Sequence, residues 1–465
     1  MSIHPALAVA AGRRPPEALW IGGVWALFLL VCGLYALFAF DYFISFALGH
    51  EGLWLRAMAW SVRDDFAFGA GSVHLDQQQP YRQALPFMLM HTTMAAVAMA
   101  IGPFQFMRGL RARKPALHRA LGKIYLLAEL VSMLGGMTYL ALTGLDHVYT
   151  GAPFAIGLWG LNVMVLVTAA LAYRAIRRGE VAQHRAWLAY NFGLLLTAPG
   201  LRILWVAYGL AFPDWTQADT NLPITTYLLP WCAMVGLVWL AGEALRQPAS
   251  LTMTDKPRAR AVLAVLGAGC LALLLNQYGL RFYWPTDLFA GYASPAQAAV
   301  EQAAFSAHAW VFGLYIVAMA GVLLLGPRVL TNTECLRERS HAYFAACALA
   351  ALGGIGLGLA GGEEALGGRA IPSYWVGLGV LWLCGLGLVL LGRRRGAWQL
   401  VRDWAVFSYG IALAPLLWFS SVPFWRFCLG LAPDAAYVTG AIAGFAGTFI
   451  LAHAANVAAL SKKRP

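Results

Sequence analysis

Twelve apolar runs, each close to the roughly 20 residues that a helix needs to cross a bilayer, dominate this sequence. They cover about 18–40, 84–107, 120–142, 152–174, 186–208, 224–245, 260–280, 303–326, 342–360, 372–392, 403–424 and 436–459. In hydrocarbon every backbone N–H and C=O must be satisfied within the chain, so runs of this length predict spanning helices. The expected fold is an all-α polytopic membrane protein. Composition agrees, since 60% of the 465 residues are hydrophobic and only 12% charged. The mean hydropathy is +0.64, outside the range of ordinary soluble domains.

The net charge of +12 by itself suits a nucleic-acid binder, but its distribution argues otherwise. Cations cluster before the first run (Arg13, Arg14) and in alternate connections, at Arg108–Lys114, Arg174–Arg178, Arg246–Arg260, Arg328–Arg339, Arg393–Arg395 and Lys462–Arg464. The intervening connections hold Asp64, Asp65, Asp76, Asp146, Asp214, Asp219, Asp287, Glu363 and Glu364. The positive-inside rule then places both termini in the cytoplasm, the topology expected of an inner-membrane protein, with the lipid bilayer and no nucleic acid as its surroundings. The first run reads as an uncleaved anchor. Seven cysteines without a CxxC spacing read as small core residues. The run GLWLRAMAWSVRDDFAF in the long loop 41–83 is expected to form an interfacial amphipathic helix.

The second half parallels the first. QALPFMLMHTTMAAVAMAIGPFQ aligns with QAAFSAHAWVFGLYIVAMAGVLLLGP and sets His91 over His308. PALHRALGKIY aligns with RERSHAYFAA and sets His118 over His341, and HRAWLAYNFGLLLTAP aligns with VRDWAVFSYGIALAP, pairing Arg185 with Arg402 and Pro199 with Pro415. Such self-similarity predicts two tandem six-helix repeats, 1–248 and 249–465, of the same orientation because six is even. The copies are unequal: His184 becomes Val401 and Arg202 has no basic counterpart, so chemistry is expected in the first half.

Ionisable side chains inside spanning helices face an interior or a functional site. On the third run His118, Tyr125, Glu129, Ser132, Gly136, Tyr139 and Thr143 recur near multiples of 3.6 and share one face. On the fifth, His184, Asn191, Ala198 and Arg202 do the same, with Arg202 about 27 Å from His184 along a straight helix. His91 on the second run continues into Ala95, Ala98, Gly102 and Gln105. The histidines thus form two levels, His118 with His184 near one membrane face and His91 with Arg202 nearer the other. Two imidazoles on different helices can clamp a b-type haem iron, with Arg119 and Arg185 beside them for the propionates. At the outer level His91 lacks a partner in its own bundle, and His147 or His308 are the candidates to supply one. A second chemistry is proton or ion movement along Tyr125, Glu129, Ser132 and Tyr139 with Arg202 beside the carboxyl group. A third is quinone binding. Each histidine also has a plainer reading as an interfacial residue, Arg119 and Arg185 as positive-inside charges, and Glu129 with Arg202 as a structural ion pair.

His91, the HR-x-x-G motif at His118–Gly122, the HR-x-W motif at His184–Trp187 and the deep Arg202 together resemble a family of bacterial membrane proteins catalogued only as a domain of unknown function. That resemblance covers about 85–210 and implies a membrane location but no activity. In architecture the histidines at two depths are also similar to di-haem membrane cytochromes of the b561 type, which carry two histidines at each depth where this chain offers one at the outer level. The favoured expectation is a b-type haem redox protein, a membrane oxidoreductase passing electrons between quinone or a partner protein and an acceptor. It has His118 and His184 as inner metal ligands and His91 at an outer site. An ion-coupled permease using Glu129 and Arg202 at the midplane, and a non-catalytic subunit or sensor, are the alternatives.

Overall fold

The computed structural model describes residues 16–246, 251, 253, 256–276, 292–361 and 369–460, with side chains from residue 25 onward. Arg13, Arg14, Asp287, Glu363, Glu364, Lys462, Lys463 and Arg464 lie outside the described residues. The described chain is all helical, and eleven stretches are long and apolar enough to cross a membrane; a twelfth is a pair of helices bent by 41°. Many outward side chains are large and apolar, among them Leu37, Val265, Leu324 and Leu451, as a lipid-facing surface requires.

The first half opens with α1 (Pro16–Ala47) and a cap of four short helices, α2 (Leu53–Ser61), α3 (Asp64–Phe68), α4 (Val73–Asp76) and α5 (Gln78–Gln83). The run expected to lie at the interface is helical from Leu53, and its Leu55 and Met58 are buried against the rest of the protein while Trp60 points outward. There follow α6 (Leu85–Gln105), α7 (Arg108–Arg113), α8 (Pro115–Thr143), α9 (Ala152–Arg177), α10 (Val181–Leu195), α11 (Thr197–Ala211) and α12 (Gln217–Arg246). The second half contains α13 (Pro257–Leu274), α14 (Pro295–Ala307), α15 (Ala309–Thr331), α16 (Thr333–Glu338), α17 (His341–Ala360), α18 (Ala370–Arg394), α19 (Trp398–Ala412), α20 (Ala414–Phe427) and α21 (Pro433–Leu460).

Two runs read as single helices are broken. The fifth divides at Leu196, where ψ is −8°, because Pro199 has no N–H to return to the Leu195 carbonyl. The eleventh divides in the same way at Leu413, just before Pro415. The eighth run starts later than expected: the chain kinks at His308, which ends α14 and begins α15. Cys32, Cys232, Cys270 and Cys347 are buried as expected, but Cys384 and Cys428 are exposed and Cys335 is half-buried, so the core reading holds for only part of the set.

Helix neighbours set the site. In the first half α6 packs on α1 and α8, α8 on α9, α9 on α10, and α11 on α1, making a ring of helices under the cap. Across the halves α12 packs against α18 and α21 against α9, while α12 and α21 touch each other. Aromatic contacts close this seam: Trp231 donates to the Gly377 carbonyl at 2.8 Å, and His453 of α21 stacks on Tyr190 of α10 at 4.6 Å.

Candidate functional site

The ring of first-half helices encloses a cavity of about 200 Å³. Its walls are largely aromatic and aliphatic, with Tyr35, Tyr42 and Phe43 from α1, Trp54 and Tyr81 from the cap, and Met99, Met133, Val165 and Leu194 around the floor. Besides the tyrosines, five polar side chains line it: His91, Thr92, Asn162, Thr197 and Arg202.

His91 is held by α8. Its Nδ1 lies 2.8 Å from the Ser132 carbonyl oxygen, and the Ser132 hydroxyl donates to the His91 carbonyl at 2.8 Å. A carbonyl only accepts, so Nδ1 carries the proton and Nε2 is left as the acceptor or ligand nitrogen. Gly136 makes room for this arrangement, since a Cβ there would lie 3.0 Å from His91 Nδ1 and 3.1 Å from Asn162 Oδ1. Asn162 donates to Leu158 within α9, and its buried Oδ1 has no hydrogen-bond partner among the described residues.

Arg202 reaches the same cavity from α11. Its guanidinium lies 5.2 Å from the Trp205 ring and 5.9 Å from that of Tyr35, and Nη1 donates to Ala198 at 3.3 Å. No ion pair joins it to a carboxylate among the described residues, so the Glu129–Arg202 pair expected from the sequence is not made. Trp205 is fixed in turn by Asn221, which bonds Thr150. Above the cavity Tyr139 donates to Gln77 at 2.6 Å, tying α8 to the cap. Burial pushes the Tyr81 hydroxyl up to about 12, against the opposing influence of Arg202.

One helical turn below the floor lies a buried polar layer. Glu129 is wholly buried, as are Asn191 and Thr168. Tyr125 donates to Asn191 Oδ1 at 2.8 Å, and Asn191 donates to the Val165 carbonyl and to Thr168. Tyr125 and Asn191 border the Glu129 carboxyl group, yet neither completes a hydrogen bond with it, and both carboxyl oxygens are unpartnered among the described residues. Phe192 fills the bundle beside this layer, lying over Gly102 and against Phe106 and Tyr125.

At the α7 end His118 and His184 are half-buried and lie within electrostatic reach of each other. His184 Nδ1 meets the Ala172 carbonyl at 2.9 Å, which leaves Nε2 open, whereas His118 Nδ1 is buried without a partner among the described residues. The buried Gln105 Nε2 likewise has no partner among them, and its Oε1 lies over Gly122, one turn above His118. Arg185 is not free to face a ligand: it pairs with Glu243, which also holds Arg108 at 3.0 Å, and lies over Trp239. Arg119 is exposed.

The second-half histidines stay apart from this site. His308 Nδ1 meets the Ala304 carbonyl at 3.1 Å, and His341 accepts from Arg393 at 3.1 Å. Neither they nor His147 line the cavity with His91, so the outer partner sought for it is not supplied. Where the first half has Ala95, Ala98 and Arg202, the aligned positions of the second are Phe312, Tyr315 and Trp418, and the last two are fully buried. Sequence reasoning passed over Asn162, although it is a polar residue at the middle of an apolar run and was detectable by that criterion. The contributions of α1 and the cap left no such signal, because aromatic residues there suit a membrane interface equally well.

Residues 88–242, which carry His91, Asn162, Thr197 and Arg202, match the profile of a family described as "Predicted membrane protein (DUF2306)". No curated protein and no solved structure matches the chain. The family resemblance read from the motifs is borne out over that stretch, while the likeness to b561-type cytochromes gains no support.

Proposed function

We propose that the protein is a membrane redox protein whose His91–Arg202 cavity receives the ring of a quinol, and that His118 and His184 would hold a b-type haem able to accept its electrons one at a time. The observation that carries this reading is the pairing, in one apolar intramembrane cavity, of an acceptor imidazole with a cation that meets no carboxylate. Holding a half-buried guanidinium without a carboxylate is unfavourable, and such a departure from local rules is expected where a ligand completes the site. A flat aromatic molecule with oxygens at opposite edges matches the walls and the polar groups together.

Oxidation of a quinol to the quinone releases two protons and two electrons. His91 Nε2 takes each proton in turn and releases it to water, Asn162 Oδ1 accepts a hydrogen bond from one hydroxyl group, and Arg202 donates to the oxygens as they become carbonyls. At the α7 end His184 is oriented by a backbone carbonyl through Nδ1, the arrangement that frees Nε2 for a metal, and His118 of α8 lies within electrostatic reach of it, so these two imidazoles would hold the haem. When bound, the haem would supply a one-electron acceptor, so each quinol would reduce it twice, with the redox partner reoxidising it in between. Arg111 and Arg119 are the cations near these imidazoles, since Arg185 is engaged by Glu243.

Two tandem repeats of the same orientation remain part of this reading. The reciprocal packing of α12 on α18 and α21 on α9 supports a pseudo-twofold relation, with the second copy as scaffold. A permease that rocks one repeat against the other is less well supported, because the cavity lies inside one half and aromatic side chains fill the seam. The site is tested by quenching of tryptophan fluorescence, for Trp54 and Trp205 line it. A soluble quinone analogue should quench saturably in the wild type and not in Ala95→Phe, which copies the filled second half; equal quenching in both would rule out the cavity.

A further inference from the structure

Of the buried polar groups of the first half that lack partners among the described residues, four stand along α8 between His118 and Gly136: His118 Nδ1, Gln105 Nε2, the Glu129 carboxyl and Asn162 Oδ1. They are not scattered. Along α8 they stand beside His118 itself, Gly122, Glu129 itself and Gly136, which at 1.5 Å per residue are stations separated by about 6, 10 and 10 Å. The line runs from the half-buried α7 end to the nitrogen that orients His91. Buried groups of this kind are satisfied by ordered water, which needs several polar partners at one place. Tyr125, Asn191 and Thr168 supply those partners around Glu129. The second half offers a control: Leu352 and Val322 stand at the positions aligned with Glu129 and Gln105.

We propose that these groups form a hydrogen-bonded water file that conducts protons between the α7 end and the cavity, with Glu129 as its relay carboxyl. The proton moves along the file by making one O–H bond as it breaks the next, so Glu129 loses a proton on one side and regains one from the other and no oxidant or reductant is consumed. A monovalent cation is a poorer occupant, because the neighbouring carbonyl of Val165 and the Asn191 amide are already engaged. The path rests on the cavity being the place where protons are released or taken up, but it is testable without ligand or haem.

Infrared spectroscopy of the ligand-free, haem-free protein in nanodiscs provides the test. A protonated-carboxyl band at neutral pH should vanish in Glu129→Gln and in Glu129→Leu, the latter copying the second half. It should shift promptly on transfer to D2O, and Gln105→Leu should abolish that promptness while leaving the band in place. No band lost in either Glu129 variant would mean an ionised residue, a band that never deuterates would mean a sealed structural acid, and a band removed by sodium would mean a cation site. Any of these overturns the proposal. Failure of the quinol reading would instead appear as absent quenching with the deuteration pattern intact.

Discussion

Replacing Arg202 with methionine separates a ligand-binding cation from a structural one. An arginine at the bilayer centre costs about 2.5–3.5 kcal/mol, an upper bound for Arg202 in the outer half of its span. Against this stand two cation–π contacts, at 5.2 and 5.9 Å, worth about 0.5–1 kcal/mol each, and one long hydrogen bond to Ala198 at 3.3 Å, worth about 1 kcal/mol at most. The balance leaves Arg202→Met neutral or more stable by up to about 2 kcal/mol, since methionine keeps the apolar stem and fills the space adaptably. Ligand reverses the order. At a concentration of 100 Kd, binding to the folded state adds about 2.7 kcal/mol to the wild type, and the variant, having lost the donor, should gain little. Unfolding in detergent micelles with and without a quinone analogue measures both. A variant less stable than the wild type by more than 1 kcal/mol without ligand, yet equally stabilised by it, would refute the reasoning.

Further expectations concern the same cavity and its cap. Gly136→Ala places a methyl group 3.0 Å from His91 Nδ1 and 3.1 Å from Asn162 Oδ1, so it should cost about 1–3 kcal/mol by overpacking and weaken analogue binding; unchanged affinity would show that His91 does not contact the ligand. His74, on α4 outside the spanning segments, is held below the ordinary imidazole value by burial, with Glu51 opposing. Its contribution to stability is therefore complete above 6.5 and is lost as the pH falls through the lowered value. Hydrogen exchange in residues 64–83 should rise on acidification in the wild type and not in His74→Gln, and equal responses would remove His74 from the cap's stability. Ala95→Phe should retain the wild-type unfolding midpoint or exceed it, because it fills a cavity; a large loss would show that the space cannot accept the ring.

The spans were legible because hydropathy over 20 residues is a collective signal that single substitutions barely disturb. The shared face of Tyr125, Glu129, Ser132, Gly136 and Tyr139 was legible too, since helical periodicity alone brings them together, and the structure buries all five. The break at Leu196 was less so: Pro199 announces a lost hydrogen bond but not the angle at which α11 leaves. Arg202 lines the cavity with His91, whereas His184 does not. The pairing of Glu129 with Arg202 failed for a related reason, because opposite charges in a sequence carry no information on whether an aromatic ring or a carboxylate will face the guanidinium. Depth along a helix was recoverable from residue counting, whereas the closure of the ring by α1 and the cap depended on tertiary packing of aromatic side chains without a distinctive spacing.

The redox account is tested most directly by adding a quinol, without oxygen, to purified protein produced with ample haem and recording the reduced-minus-oxidised spectrum. Bands of a reduced b-type haem should appear in the wild type and in His341→Ala, be lost or displaced in His184→Ala and in His118→Ala, and fail to develop in Arg202→Met although dithionite still produces them. Protein that carries no haem at all, or a spectrum equally altered by His341→Ala and His184→Ala, would contradict it.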